Sequence, residues 1–207
     1  DPLRLTPIGR GYGSEQNRIW AASELPHGDS LRDRLLTRRL LEERAVVWRN
    51  REASLDAASL EPRTRAMSTY LLQEYFIPVG AFVDFAREMT RILKANDTGA
   101  LNVSIRHAPA DPISLMSWAR EEVFSFVLYH KQRQFGGADE RAGIWTRRLI
   151  DAALAHGGTY YLPYRLHATP AQFRRAYLQA AAFARIKRQV DPHGRFRNRL
   201  WDRYLPR

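Results

Sequence analysis

The sequence predicts an α+β fold, an antiparallel or mixed sheet with helices packed on one face, plus a C-terminal helical segment. Three observations predict it. Short aromatic and apolar runs bounded by Pro or Gly recur between residues 69 and 165. Stretches with helical apolar spacing stand between them, at 80–95 and 138–156. A content of 44% apolar residues in a chain of 207 is enough for a sizeable core without disulfide or metal staples.

The elements follow in order. Pro2, Pro7, Gly9, Gly11, Gly13 and Pro26 make residues 1–27 an irregular N-terminal segment. From Asp29 or Ser30, either able to cap, Leu31, Leu35, Leu36, Leu40 and Leu41 recur at helical spacing. Residues 50–69 are polar, contain Pro62 and read as a loop. Thr69–Pro78 is a strand. Gly80–Ala95 is a helix with Phe82, Phe85, Met89, Ile92 and Leu93 on one face, stopped by Asn96, Asp97 and Gly99. Leu101–Arg106 and Glu122–His130 are strands, separated by a loop that holds Pro109 and Pro112. Ala138–His156 is a helix ended by Gly157 and Gly158. Thr159–Arg165 is extended. Thr169-Pro170-Ala171-Gln172 opens a helix reaching about Val190, with a capping box and Pro at its first position. Asp191–Gly194 is a turn, and a short tail follows. No internal repeat or low-complexity tract is present.

Zero Cys excludes disulfides, thiolate metal sites and thiol nucleophiles, and fits a reducing compartment. No apolar run approaches the ~20 residues of a membrane helix. The formal charge is +11, and among 33 basic residues only Lys94, Lys131 and Lys187 are not Arg. An Arg- and Ala-rich composition is the bland explanation. A basic surface facing an anionic substrate, a membrane headgroup layer or an acidic partner domain is the functional one. Phosphate-loop, dinucleotide, zinc-protease and nucleophile-elbow motifs are absent. The six His show no metal-ligand spacing with a carboxylate.

Three stretches can carry chemistry. In Gln73-Glu74-Tyr75-Phe76, alternation sets a carboxylate among aromatics, although an edge strand with Glu74 in water explains it as well. Ser104-Ile105-Arg106-His107 ends a strand with an arginine whose planar donor fork suits an anionic or hydroxylated ligand. Tyr160 to His167 alternates tyrosines with Arg165 and His167, a binding-surface composition that a packed strand can also have.

From residue 66 to 205 these stretches, in this order, resemble the C-terminal half of FAD-linked oxidases. The ending carries the resemblance most clearly: Tyr177, Phe183-Ala184-Arg185-Ile186-Lys187, then Asp191-Pro192-His193-Gly194-Arg195-Phe196-Arg197-Asn198. The family is the vanillyl-alcohol oxidase / para-cresol methylhydroxylase superfamily, in the branch of aldonolactone oxidases, alditol oxidase and decaprenylphosphoryl-ribose oxidase. The resemblance implies a cap or substrate domain over residues 1–165 and a segment, 166–207, that returns to an N-terminal FAD-binding domain absent from this chain. The start at Asp1-Pro2, without Met, agrees with a piece of a longer polypeptide.

Residue roles follow from the same resemblance. Glu74, Arg106 and Arg165 are implied catalytic groups. Arg106 matches an active-site arginine of the branch, although Ser104 replaces the glutamate two residues before it. Arg165 stands near a lysine placed over the flavin. Tyr164, His167, Tyr129 and His130 are implied substrate-binding residues, and Asn198 is the implied flavin contact. The expected activity is oxidation of an alcohol group on a sugar-like or polyol substrate by hydride transfer to FAD, held mainly by the absent domain. No metal and no nucleic acid are expected, and the location is cytoplasmic or at a membrane surface. The competing expectation is a basic module binding nucleic acid or an anionic membrane without catalysis. Charge placement separates the two. A binder gathers Arg on one face, whereas an oxidase cap converges Glu74, Arg106 and Arg165 on one cleft.

Overall fold

A computed structural model describes residues 66–98 and 100–205, together with Asn17 and Trp20, both helical. The expected helix from residue 29 or 30, the loop before Ala66 and most of the irregular N-terminal segment lie outside the described residues. The chain divides into two compact units at Ser68/Thr69, and the following concerns the second.

A run rich in aromatic and aliphatic residues extends Ser68–Pro78 into β1. A single 3₁₀ turn leads into α1, Phe82–Ala95, which buries Phe85, Met89 and Ile92. Strand β2 is Ala100–Ala108 and β3 is Val123–Arg133. Helix α2, Ala138–Ala155, buries Trp145, Leu149, Ala152 and Ala153. Strand β4 is only Thr159–Tyr160. Helices α3 (Pro170–Ala176), α4 (Ala180–Val190) and α5 (Arg199–Tyr204) complete the chain.

The strands form an antiparallel sheet of order β2-β3-β1-β4. With the succession βαββαβ, that order is the ferredoxin-like, split βαβ arrangement. Tyr75 and Ile77 of β1 and Phe126 and Leu128 of β3 share one core with Phe85, Met89 and Ile92 of α1 and Trp145 and Leu149 of α2. Both long helices therefore cover one face of the sheet, and the residues between those positions point to the other.

Three expectations about extent need correction. The extended run 159–165 pairs only through Thr159 and Tyr160, opposite Phe76 and Tyr75, with one further bond from Tyr161 N to Glu74 O. Pro163 has no N–H to continue a ladder. The helix from Thr169 to Val190 is two helices. The capping box at Thr169 and Gln172 is formed, but Tyr177 leaves helical geometry and donates its hydroxyl hydrogen to the Tyr160 carbonyl. That bond and its stack on Phe173, at 5.6 Å, hold the Tyr177 ring in the core at the expense of one helical turn. The tail, given no structure from sequence, contains α5, which Asn198 caps by accepting from Trp201 N at 2.8 Å. Phe173, Tyr177 and Tyr204 enter the same core as Tyr75, so a boundary at 165/166 passes through that core.

The turn after α2 brings β4 into place. Gly157 takes a left-handed φ of 75°. Gly158 donates to Ala153 O at 2.8 Å and passes directly against the Phe76 carbonyl, where no side chain fits. This close approach sets the height at which Tyr160, Tyr161 and the following loop leave the sheet. Among the described residues no helix is long and apolar enough to cross a membrane.

Candidate functional site

The face of the sheet away from the helices carries a polar row. Arg106 of β2 lies opposite Ser125 of β3. Ser125 Oγ donates to Glu74 Oε1 of β1 at 2.5 Å. Tyr161, next along from β4, binds the Glu74 carbonyl through its N–H at 2.9 Å. The row crosses β2, β3 and β1 and places a guanidinium and a carboxylate on one surface, with a buried hydroxyl between them.

Aromatic rings flank it. Trp118, from the loop before β3, stacks on Phe76 at 4.2 Å, and Tyr161 meets Phe76 edge-on at 5.9 Å. Phe76, Ala119 and Val123 form a small second core beneath them. Tyr164 stands 5.1 Å from the Tyr161 ring. Burial raises the Tyr164 hydroxyl, Glu74 and Tyr161 push the same way, and Arg106 opposes. Tyr164 therefore lies within the field of both charged members of the row. On the same face, Tyr129 of β3 stacks on Tyr70 of β1 at 5.8 Å.

Arg165 does not join them. It stands 3.8 Å from Asp139 at the start of α2 and shares a recess with Thr69, Gln132, Arg133 and Gln134. Gln132 lies two residues along from His130, on the helix-covered side, and donates to Asp139 at 3.3 Å. The expectation that Glu74, Arg106 and Arg165 converge holds for the first two and fails for the third. Loop 161–167 crosses the sheet edge, so successive side chains reach different faces.

A second cavity, about 830 Å3, opens beside this loop. Tyr164, Arg165, His167 and Asn198 line it with residues of α5. Four of the eight sequence-derived positions meet there and three, Glu74, Arg106 and Tyr129, on the open sheet face, with Tyr164 common to both. Gly143 of α2 permits the approach of His167, since a Cβ at 143 would lie 3.2 Å from His167 Nδ1.

His130 belongs to neither surface. It is 2% exposed and sits edge-on to Trp145, with 4.8 Å between ring centres. It cannot touch a substrate, because even-numbered residues of β3 face the helices. Burial first, and then His167 and Arg165, lower its imidazole to about 4. The unfolded chain therefore takes up this proton at a higher pH than the folded one, and the associated stability, complete above about pH 6.5, is lost as pH falls towards 4. On the order of 3 kcal/mol is at stake. In urea titrations at pH 7 and 4.5, the His130→Leu protein is expected to lose clearly less stability on acidification than wild type. Equal losses would show that His130 does not carry the effect.

The residues that sequence reasoning missed are Ser125, Trp118 and Asp139. A small hydroxyl residue inside the apolar run Val123–Leu128 was a signal for Ser125. Among the described residues no group of His, Asp and Glu is arranged to hold a metal ion. Neither a scan against protein-family models nor a search among curated proteins gives a match for this chain.

The open face has part of the chemistry that a flavin ring needs. Its half-buried aromatic rings and convergent Arg106 and Glu74 match a planar heteroaromatic ring with polar edges. Asn198, the implied flavin contact, stands apart from this face: it lines the cavity beside the 161–167 loop, and its carbonyl oxygen caps α5. The diphosphate finds no glycine-rich cradle in the described residues, and Gly9–Gly13 lies outside them.

Proposed function

We propose that this chain is the substrate domain of a flavin-dependent alcohol oxidoreductase, acting with an FAD-binding domain that holds the cofactor's diphosphate. The observation that carries the proposal is the row Arg106–Ser125–Glu74 on an aromatic-flanked sheet face that none of the described helices covers. A bound flavin supplies an acceptor for the hydride that leaves the alcohol carbon. This chain handles the other half of the reaction. The Glu74 carboxylate accepts the hydroxyl proton, and Ser125 orients that carboxylate through the 2.5 Å bond. Arg106 binds neighbouring hydroxyl oxygens and balances the charge that develops on the substrate oxygen. Trp118, Tyr161 and Tyr164 narrow access to water. A sugar-like or polyol substrate suits this density of donors and acceptors.

A second reading has one observation in its favour. Tyr70 and Tyr129 stack on the two central strands of the open face, where sheets of this topology can stack nucleobases. Arginine placement speaks against it. Arg106 lies on the open face, whereas Arg87 and Arg91 pair with Asp84 and Glu88 on α1, across the sheet.

The chain contains no Cys, so a single introduced thiol reports one position. Ser104 lies on the open face of β2, and Thr90 is exposed on α1. In the protein joined to its flavin domain, FAD and a polyol are expected to slow alkylation of the Ser104→Cys variant about tenfold or more, by burying the site. The Thr90→Cys variant is expected to react unchanged. Protection of Ser104→Cys by an oligonucleotide instead of FAD would favour the second reading, and protection by neither would remove both.

A further inference from the structure

The 830 Å3 cavity has an unbalanced charge. Arg165, Arg199 and Arg203 line it against two carboxylates, Asp139 and Asp202. Asp202 already accepts from Arg197 Nε at 2.8 Å, and Arg197 is outside the lining. Asp139 faces Arg165 at 3.8 Å. Arg199 makes no ion pair among the described residues, and the Arg203 guanidinium lies over the Tyr204 ring at 5.6 Å. Arg199 and Arg203 are one helical turn apart on α5 and open into the same space.

A second, independent observation points to a ligand. The His167 side chain is 10% exposed and lines this cavity. Its Nε2 is buried and has no hydrogen-bond partner among the described residues, with Asp139 no nearer than 4.0 Å. The unpartnered ring nitrogen and the arginines without carboxylate partners are donors that open into one space.

We propose that this cavity binds a small dianionic oxyanion, the phosphate or sulfate end of a ligand, through Arg199, Arg203 and the His167 Nε2–H. A tetrahedral anion offers separate oxygens to donors arriving from different directions, which a planar carboxylate cannot do. The site is independent of the flavin reading. The proposal also carries a proton linkage. Burial first, then Arg165, Arg147 and Arg203, lower the His167 imidazole, while Asp139 opposes and His130 adds a neighbouring titratable group. A bound dianion offsets the arginines, so binding draws a proton to His167, and affinity rises as pH falls.

The test is calorimetric titration of the 207-residue chain with sodium sulfate at constant ionic strength, since sulfate does not itself titrate near neutrality. Saturable one-site binding is expected, several-fold tighter at pH 6 than at pH 8. Losing one charge-assisted donor is expected to weaken it about tenfold in Arg199→Gln and in His167→Gln. Arg199 is exposed, so its replacement leaves folding intact, and melting curves check the His167 variant. Acetate is expected to bind about tenfold more weakly than sulfate. Unsaturable heats, an Arg199→Gln affinity equal to wild type, or acetate matching sulfate would overturn the proposal, and a pH-independent affinity would overturn the role of His167.

Discussion

The Gly158→Ala protein is expected to melt roughly 10 °C below wild type. The added methyl would fall inside van der Waals contact of the Phe76 carbonyl, with Ile77 Cδ1 at 2.8 Å and the Ala153 carbonyl at 3.0 Å. Two of those three neighbours are backbone, belonging to β1 and α2, and cannot rotate away. Relief requires the turn to lift from the sheet, which breaks the Gly158 N–H bond to Ala153 and tilts β4. Overpacking of this kind costs about 3 kcal/mol. At about 2–4 °C per kcal/mol for a chain of this length, the loss is readily seen by calorimetry. Gly80→Ala is the control, because nothing lies within 4 Å of its added carbon, and its melting point is expected to stay within about 2 °C of wild type. A Gly158→Ala protein as stable as the control would mean that β4 and loop 161–167 are not seated as described.

The second large effect concerns chemistry. Replacing Glu74 with Gln keeps the size and the bond to Ser125 but removes the proton acceptor. The rate of flavin reduction by substrate is expected to fall by about 10²–10⁴, the usual contribution of a positioned base. Arg106→Ala is expected to cost about 10²-fold, with Arg106→Lys recovering only part of it, because an ammonium cannot reproduce the planar fork. Ser125→Ala acts by positioning. It is expected to reduce the rate less than Glu74→Gln and to leave substrate affinity near wild type, since the carboxylate stays in place but loses the hydroxyl that orients it. If Glu74→Gln and Arg106→Ala both retained wild-type reduction rates, the open face would not be the site of reaction.

Much of this architecture was legible in the sequence. Period and turn formers placed β1, α1, β2, β3 and α2 close to their observed limits, because each has an apolar run or stripe long enough to outweigh local noise. Glu74 and Arg106 were correctly put on strands, and alternation carried both to one face. Arg165 was misplaced because a loop has no alternation to follow once Pro163 ends the ladder. His130 was misread for a different reason. Both faces of β3 are apolar, so pattern alone did not reveal that Tyr129 faces the open side and His130 the helices. The split at Tyr177 and the short α5 depend on tertiary contacts, the Tyr177 bond to Tyr160 and the Tyr204 stack on Phe173 at 4.7 Å. Neither contact has a signature in its own segment.

The proposed activity requires this sheet face to present an alcohol to a flavin. The most direct measurement is anaerobic mixing of the flavin-loaded protein, joined to its flavin domain, with a polyol, following the flavin absorption. The expected result is bleaching whose rate saturates with polyol concentration and collapses in the Glu74→Gln protein. A protein that holds no flavin, or one whose flavin stays oxidised with every sugar and polyol offered, would contradict the account.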